Sequence, residues 1–196
     1  LAGAYAEALG EEARAYLSAR VPGVTDELIR RFRIGHADGR VLARLPTSGG
    51  VTRSLMKTGA LKATGAEHLA GCVVFPVTDE TDRVVGMYGR RLPDRAGRER
   101  SPRHLYLPGP HRGVWNWRGL AGRREAILTE AVIDALALVS LGFDGTIPLY
   151  GTNGLTEEHL AVLRTASPEV VYLAFDADEA GDGAADRVAP RLREVL

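Results

Sequence analysis

The rhythm of hydrophobic and polar positions changes twice along the chain, and each change predicts a different kind of structure. Over residues 1–36 the period is helical: in EEARAYLSAR the stripe falls at Ala13, Tyr16, Leu17 and Arg20, at intervals of three and four. VPGV breaks it. Thr25, followed by Asp26, Glu27 and Leu28, restarts a helix with a capping residue and acids in its first turn, leading into ELIRRF. FRIGHAD at residues 32–38 returns the backbone to an extended state. Residues 40–92 read as short strands, VLARL, CVVFPVTD and VVGMYGRRL, with DETDR as the hairpin turn between the last two. Residues 93–112 are rich in Pro, Gly and Arg without periodicity, which predicts a surface loop. HLYL reads as a short strand within it, and GVWNW as another beyond it.

From residue 126 strands and helices alternate. The apolar run AIL precedes the helix AVIDALALVSLGF, in which Val132, Ala135, Leu136, Val139 and Ser140 share one face. Strand TIPLY, loop GTNG and helix TEEHLAVLRTA follow, with Thr156 as N-cap. VVYLAF reads as a buried strand, and AGDGAADRVAPRLREV as the closing helix. A β-α-β-α-β-α series of this kind predicts an α/β domain with a doubly wound parallel sheet and right-handed crossovers. Ligands of such sheets bind beyond the carboxyl ends of the strands, where Glu130, Gly151, Asp176 and Asp178 fall.

Composition narrows the setting. No stretch approaches the ~20 apolar residues of a membrane span, so no membrane partner is expected. The single cysteine, Cys72, sits in GCVVFPV and reads as a buried small hydrophobe. One cysteine also excludes a disulfide framework, and no cysteine-based zinc site is expected within this chain. The sequence begins at Leu1 without a signal peptide, which reads as an excised piece of a cytoplasmic protein. The formal net charge of zero hides an asymmetry: residues 83–124 carry eleven arginines against two acids, and residues 125–196 carry thirteen acids against four arginines. One explanation is a solvated loop beside solvated helices. The other is a cationic surface that receives a polyanion, next to an acidic edge that holds its metals.

The acidic chemistry sits in two signatures, TEAVIDAL at residues 129–136 and FDADEAG at 175–181. If their strands are parallel neighbours, Glu130, Asp176 and Asp178 converge on one sheet edge. Two like charges about 4 Å apart repel by roughly 4 kcal/mol at an effective dielectric of ~20, so such a cluster attracts hard divalent cations. The competing reading is that the aspartates cap the last helix at its positive end.

At these residues the chain resembles a toprim domain, and more closely the catalytic core of a bacterial DnaG-type DNA primase. Glu130 with Asp176 and Asp178 matches the toprim pattern of a glutamate after one strand and Asp-x-Asp after a later one. Asp134 matches the primase aspartate four residues after that glutamate, and Gly181 and Ala184 match the ending D-x-D-x-A-G-x-x-A. GTNGLTEEHL resembles the glycine-threonine loop with its following helix. Upstream, YLSARVPGVTDELIRRFRIGHA is similar to the helical entry segment of the primase core. VVFPVTDETDRVVGMYGRRL and RHLYLPGPHRGVWN are similar to its later motifs, with Arg103, His104 and Leu105 where the family has lysine, tyrosine and leucine.

The resemblance implies a smaller mixed α+β N-terminal lobe with a basic surface, residues 1–122, followed by a toprim α/β catalytic domain, residues 123–196. It implies template-directed synthesis of RNA primers on single-stranded DNA from nucleoside triphosphates, dependent on Mg²⁺ or Mn²⁺. Glu130, Asp176 and Asp178 are then the metal ligands, with Glu130 alternatively a general base, and Asp134 completes the catalytic group. Arg90 and Arg91 on a strand, Arg103, His104 and Arg112 in the basic loop, Lys57 in SLMKTG, and the backbone N–H groups of Gly151 and Thr152 are candidate nucleotide or DNA contacts. Trp115, Asn116 and Trp117 read either as a base-stacking group or as packing. A zinc-binding template module and a replicative helicase are further partners outside this chain. A toprim nuclease, or a non-catalytic module for nucleic acid or a replication partner, is the alternative activity.

Overall fold

The computed structural model describes residues 1–45, 49–93, 102–151 and 153–196. They form two compact units: Leu1–Ala19, Thr25–Pro76 and Val84–Pro110 in the first, and Arg20–Val24, Val77–Arg83 and His111–Leu196 in the second.

The first unit opens with helices α1 (Ala2–Glu7), α2 (Glu11–Arg20) and α3 (Asp26–Arg31). Ala13 and Leu17 of the α2 stripe are buried, and the Thr25 hydroxyl accepts the Leu28 N–H at 3.2 Å to cap α3. The order continues with β1 (Gly35–Ala37), α4 (Gly49–Lys57), β2 (Cys72–Thr78), β3 (Val84–Arg91) and β4 (His104–Tyr106). Their sheet runs β1-β2-β3-β4, with β1 antiparallel to β2 and β3 antiparallel to β4. Tyr5, Val41, Leu61, Leu69, Val74 and Met87 are among its buried core. Gly35 is required where α1 lies on β1, because a Cβ there would stand 2.3 Å from the Tyr5 carbonyl carbon. Cys72 is buried in this core, and burial pushes its thiol pKa up to about 11, which leaves it unreactive near neutrality.

Three segments depart from the pattern read in sequence. VLARL is a 3₁₀ helix, Val41–Arg44, rather than a strand. Asp38 accepts the Arg40 N–H at 3.0 Å and pairs with the Arg44 guanidinium, and the Glu67 carboxylate takes the Val41 N–H at 2.6 Å. These side chains hold the backbone in a turn. Helix α4 has no sequence counterpart in a stretch read as strands, and none of its residues is buried. GVWNW is not a strand either: Asn116 adopts a left-handed φ of 57° ahead of the 3₁₀ helix Trp117–Leu120. Its amide donates to the carbonyls of Asp144 and Thr146, both at 2.9 Å.

The second unit carries the alternating series: β5 (Glu125–Thr129), α5 (Val132–Ser140), β6 (Thr146–Pro148), α6 (Glu157–Ala166), β7 (Val170–Ala174) and α7 (Glu179–Arg193). The sheet order is β6-β5-β7, and both pairings are parallel. Ala126 and Leu128 of β5 pack with Leu160 and Leu163 of α6 and Val188 and Leu192 of α7 in one core. The buried residues of α5 lie outside that cluster, on the other side of the sheet. The second unit is thus an α/β domain built on a parallel sheet, and the first is a mixed α and β unit. β7 differs from the buried strand read in sequence, since every second residue, Val170, Tyr172 and Ala174, is exposed. It is an edge strand with one covered face.

Candidate functional site

Because β5 and β7 are parallel neighbours with Thr129 opposite Ala174, the chain leaves both at one edge of the sheet. Glu130 is the first residue beyond β5, and Asp176 the second beyond β7. The two meet: the Asp176 N–H donates to the Glu130 carboxylate at 3.1 Å. Burial raises the Glu130 pKa above its ordinary value, and the charges of Asp176, Asp178 and Asp134 raise it further, against the lowering effect of that hydrogen bond. Asp134 sits in the first turn of α5. Among the described residues, no group of three or more His, Cys, Asp or Glu side chains is gathered closely enough to hold a metal ion. The donors are nonetheless all hard oxygens, and Asp176 is exposed. That set fits a magnesium-like ion, which keeps several waters and takes one or two carboxylates plus phosphate oxygens.

The two aspartates are held differently. Asp178 is the N-cap of α7, its Oδ1 accepting the Gly181 N–H at 2.9 Å, and its own N–H donates to the Asp176 carbonyl at 2.9 Å. The capping alternative therefore accounts for one oxygen of Asp178 and for none of Asp176. Gly181 is dictated by this turn, since a Cβ there would lie 2.0 Å from the Asp176 carbonyl oxygen. Gly151, at φ 81°, corrects an expectation: its N–H donates to the Glu130 carbonyl at 3.1 Å. It ties the loop after β6 to the acidic edge instead of offering that N–H to a phosphate. Thr152 lies outside the described residues.

Of the basic candidates, Lys57, Arg90, Arg91, Arg103 and His104 belong to the first unit and Arg112 to the second. Arg90 is buried at 8% exposure. Its Nε donates to the Tyr16 hydroxyl at 3.0 Å, and its Nη1 contacts His104 Nε2. A guanidinium only donates, so His104 accepts through Nε2 and its Nδ1–H faces the Tyr88 oxygen at 2.9 Å. Arg91 donates to the carbonyls of Ala70 at 3.1 Å and Pro102 at 3.4 Å, so neither strand arginine simply points into solvent. Lys57, at the end of α4, is exposed, as are Arg103, His104 and Arg112. Trp115 is buried at 2% exposure and is packing, not a base platform. Trp117 packs against the second unit's core and carries the Arg118 guanidinium 4.5 Å above its ring.

Sequence reasoning missed Tyr88 and Tyr150 as polar partners, and saw Tyr16 only as part of a helix stripe. Partners 74 residues apart, as Arg90 and Tyr16 are, leave no mark in a local pattern.

Comparison with known proteins bears on the family and the fold. Residues 4–111 match the family described as the DNA primase catalytic core, N-terminal domain, and residues 127–195 match the Toprim-like family. The DNA primase of Deinococcus radiodurans is 31% identical over 185 residues, covering 85% of this chain and 31% of the relative. That of Chlamydia trachomatis is 29% identical over 186 residues, covering 91% and 31%. The chain thus spans about a third of the length of these relatives. Among solved structures, the zinc-binding and RNA polymerase domains of the Aquifex aeolicus primase superpose with a TM-score of 0.80 at 25% identity, over 96% of this chain and 49% of that one. A DnaG catalytic core gives 0.78 at 28% identity, over 93% and 62%. A DnaG primase catalytic domain bound to single-stranded DNA gives 0.76 at 26%, over 94% and 61%. With its N-terminal family match covering more than half the chain and the toprim-like match covering residues 127–195, this protein belongs to the family of DnaG-type DNA primase catalytic cores.

Proposed function

We propose that the chain is a nucleotidyltransferase of the primase type, which extends RNA on a single-stranded DNA template from nucleoside triphosphates. The supporting observation is the hydrogen bond that brings Glu130 and Asp176 together at the carboxyl ends of adjacent parallel strands. We assign residues 1–122 as the basic lobe and 123–196 as the catalytic domain. Glu130 and Asp176, with Asp178, hold Mg²⁺ or Mn²⁺, and Asp134 adds negative charge behind them. When bound, a divalent cation supplies charge stabilisation at the transferring phosphoryl group. Alternatively, Glu130 is not a metal ligand but the general base that takes the proton of an attacking 3′-hydroxyl. Arg90, Arg91, Arg103, His104, Arg112 and Lys57 supply cationic contacts to template and triphosphate. The Aquifex relative carries a zinc-binding domain beside its polymerase domain, and a zinc-binding module and a replicative helicase are the proposed partners here.

The direct test is incubation of the protein with single-stranded DNA, nucleoside triphosphates and Mg²⁺ or Mn²⁺. Template-dependent RNA is the expected product. Shortening of the DNA without added nucleotides would instead mark a toprim nuclease.

Metal binding is read independently by melting. The Glu130 pKa lies above its ordinary 4.5 in the folded state, so the folded protein holds the proton more tightly than the unfolded chain. The contribution of this group to stability is therefore greatest at low pH and falls as pH rises through its folded value. A divalent cation binds the deprotonated cluster and relieves that repulsion. Mn²⁺ at a hundred times its dissociation constant should stabilise by about 2.7 kcal/mol, and the rise in Tm should be larger at pH 8 than at pH 5. Equal rises at both values would place the ion away from Glu130.

Arg90→Ala should weaken single-stranded DNA binding more at low salt than at high. The slope of log K against log salt should become shallower by about 0.7 for each phosphate the variant no longer neutralises. Parallel salt curves would confine Arg90 to its structural bonds with Tyr16 and His104.

A further inference from the structure

The loop after β6 holds a second, unassigned constellation within the second unit. Tyr150 is followed directly by Gly151, whose N–H is bound to the Glu130 carbonyl at 3.1 Å. The Tyr150 hydroxyl reaches back 37 residues in sequence to donate to the Gly113 carbonyl at 2.5 Å, and it lies 3.2 Å from the Arg112 carbonyl. Its ring stacks on the His111 imidazole with centroids 4.4 Å apart and planes 17° from parallel. The His159 ring meets it edge-on at 5.2 Å. The Gly113 N–H donates to the Glu158 carboxylate. Residues 111, 112 and 113 are thus each gripped, by stacking, by the tyrosine hydroxyl and by Glu158.

The grip is built for neutral rings. His159 accepts the Thr156 N–H at Nδ1 and faces the Pro148 carbonyl through Nε2 at 3.0 Å, the pattern of a neutral imidazole. Burial lowers the His159 pKa to about 4, so this ring carries no charge near neutrality, and partial burial lowers the His111 pKa in the same direction. The residue at the centre of the grip, Arg112, is exposed. Its backbone is therefore fixed while its guanidinium remains outside the core.

We propose that Tyr150 is a positioning residue for Arg112. It links the arginine backbone, through its own chain neighbour Gly151, to the backbone of Glu130. The backbone from which the guanidinium extends is thereby tied to the acidic edge, and the guanidinium takes the phosphates of an incoming nucleoside triphosphate. This rests on the primase reading above and adds to it a residue that touches neither metal nor nucleotide.

The test uses the 196-residue chain, with ATP and GTP in the presence of Mg²⁺, and the variants Tyr150→Phe, Arg112→Ala and both together. Tyr150→Phe keeps the stacked ring and removes only the hydroxyl. It should raise the Kd and KM for nucleotide about tenfold with kcat changed less than twofold, the signature of weakened ground-state binding. Its Tm should stay within about 3 °C. Arg112→Ala should have a similar effect, and the double variant should be no worse than either single one, because both remove the same interaction. A roughly hundredfold loss in the double variant would mean independent roles and overturn the proposal. Unchanged nucleotide binding in both single variants would remove Arg112 and Tyr150 from the site, while leaving the primase reading to stand on Asp176. Absence of nucleotide binding in the unmodified chain would overturn both.

Discussion

Asp176→Ala should abolish primer synthesis, by a thousandfold or more, while the protein remains folded. The side chain is exposed, and the bond that joins β7 to Glu130 comes from the Asp176 backbone N–H, which alanine retains. Glu130 therefore stays in place. On the proposed assignment, what disappears is a carboxylate that would help hold the metal. The charge stabilisation a metal supplies is worth several kcal/mol, and about 4 kcal/mol corresponds to a thousandfold in rate. Removing a carboxylate that raises the Glu130 pKa should also leave Tm unchanged or slightly higher without metal, and weaken its response to Mn²⁺. Primer yields from Asp176→Ala equal to the parent would strike Asp176 from the site. Low yields with a collapsed circular dichroism spectrum would trace the loss to folding.

Gly181→Ala should be among the most damaging single methyl groups in the second unit. The added Cβ would stand 2.0 Å from the Asp176 carbonyl oxygen and 3.0 Å from its carbon, and these are backbone atoms that cannot rotate away. Relief requires moving α7 or the turn before it. Either movement strains the Asp178 cap, whose donor is the Gly181 N–H, and shifts the N–H that Asp176 gives to Glu130. Overpacking costs about 1–3 kcal/mol and a broken cap about 1, so a loss of about 3 kcal/mol is expected. At about 2–4 °C per kcal/mol for a chain of this size, Tm should fall by about 6–12 °C, and the Mn²⁺ response should vanish with it. Asp178→Asn separates the two effects, because an asparagine still caps the helix but brings no charge to a metal. A Gly181→Ala protein that melts and responds to Mn²⁺ like the parent would show that the turn has slack.

The second unit was legible because its signals are local. The strand-helix alternation, the Thr156 cap and the apolar face of Val132, Ala135, Leu136 and Val139 are all set by near neighbours, and all appear in the fold. The meeting of Glu130 with Asp176 followed from parallel pairing alone. The first unit was harder to read because long-range side chains override its local pattern. Glu67 reaches across 26 residues to hold Val41 in a turn, which VLARL by itself does not reveal. Helix α4 spans only nine residues, none of them fully buried, and only Leu55 packs against the core. Gly151 looked like a free phosphate donor because no sequence pattern shows that Glu130 already occupies its N–H. The same blindness hid Tyr150, whose hydrogen-bond partners lie 37 and 38 residues upstream.

The half-bare last strand of the parallel sheet governs how this polypeptide behaves in company. Among the described residues β7 has one paired neighbour, β5, and it presents Val170 at 42% and Tyr172 at 49% exposure. An unpaired ribbon with greasy side chains is a template for any extended peptide that drifts alongside. Concentrated solutions of the 196-residue chain by itself should therefore be prone to clumping through this border, and Val170→Lys would act as a gatekeeper there without approaching the carboxylates at the strand's far end.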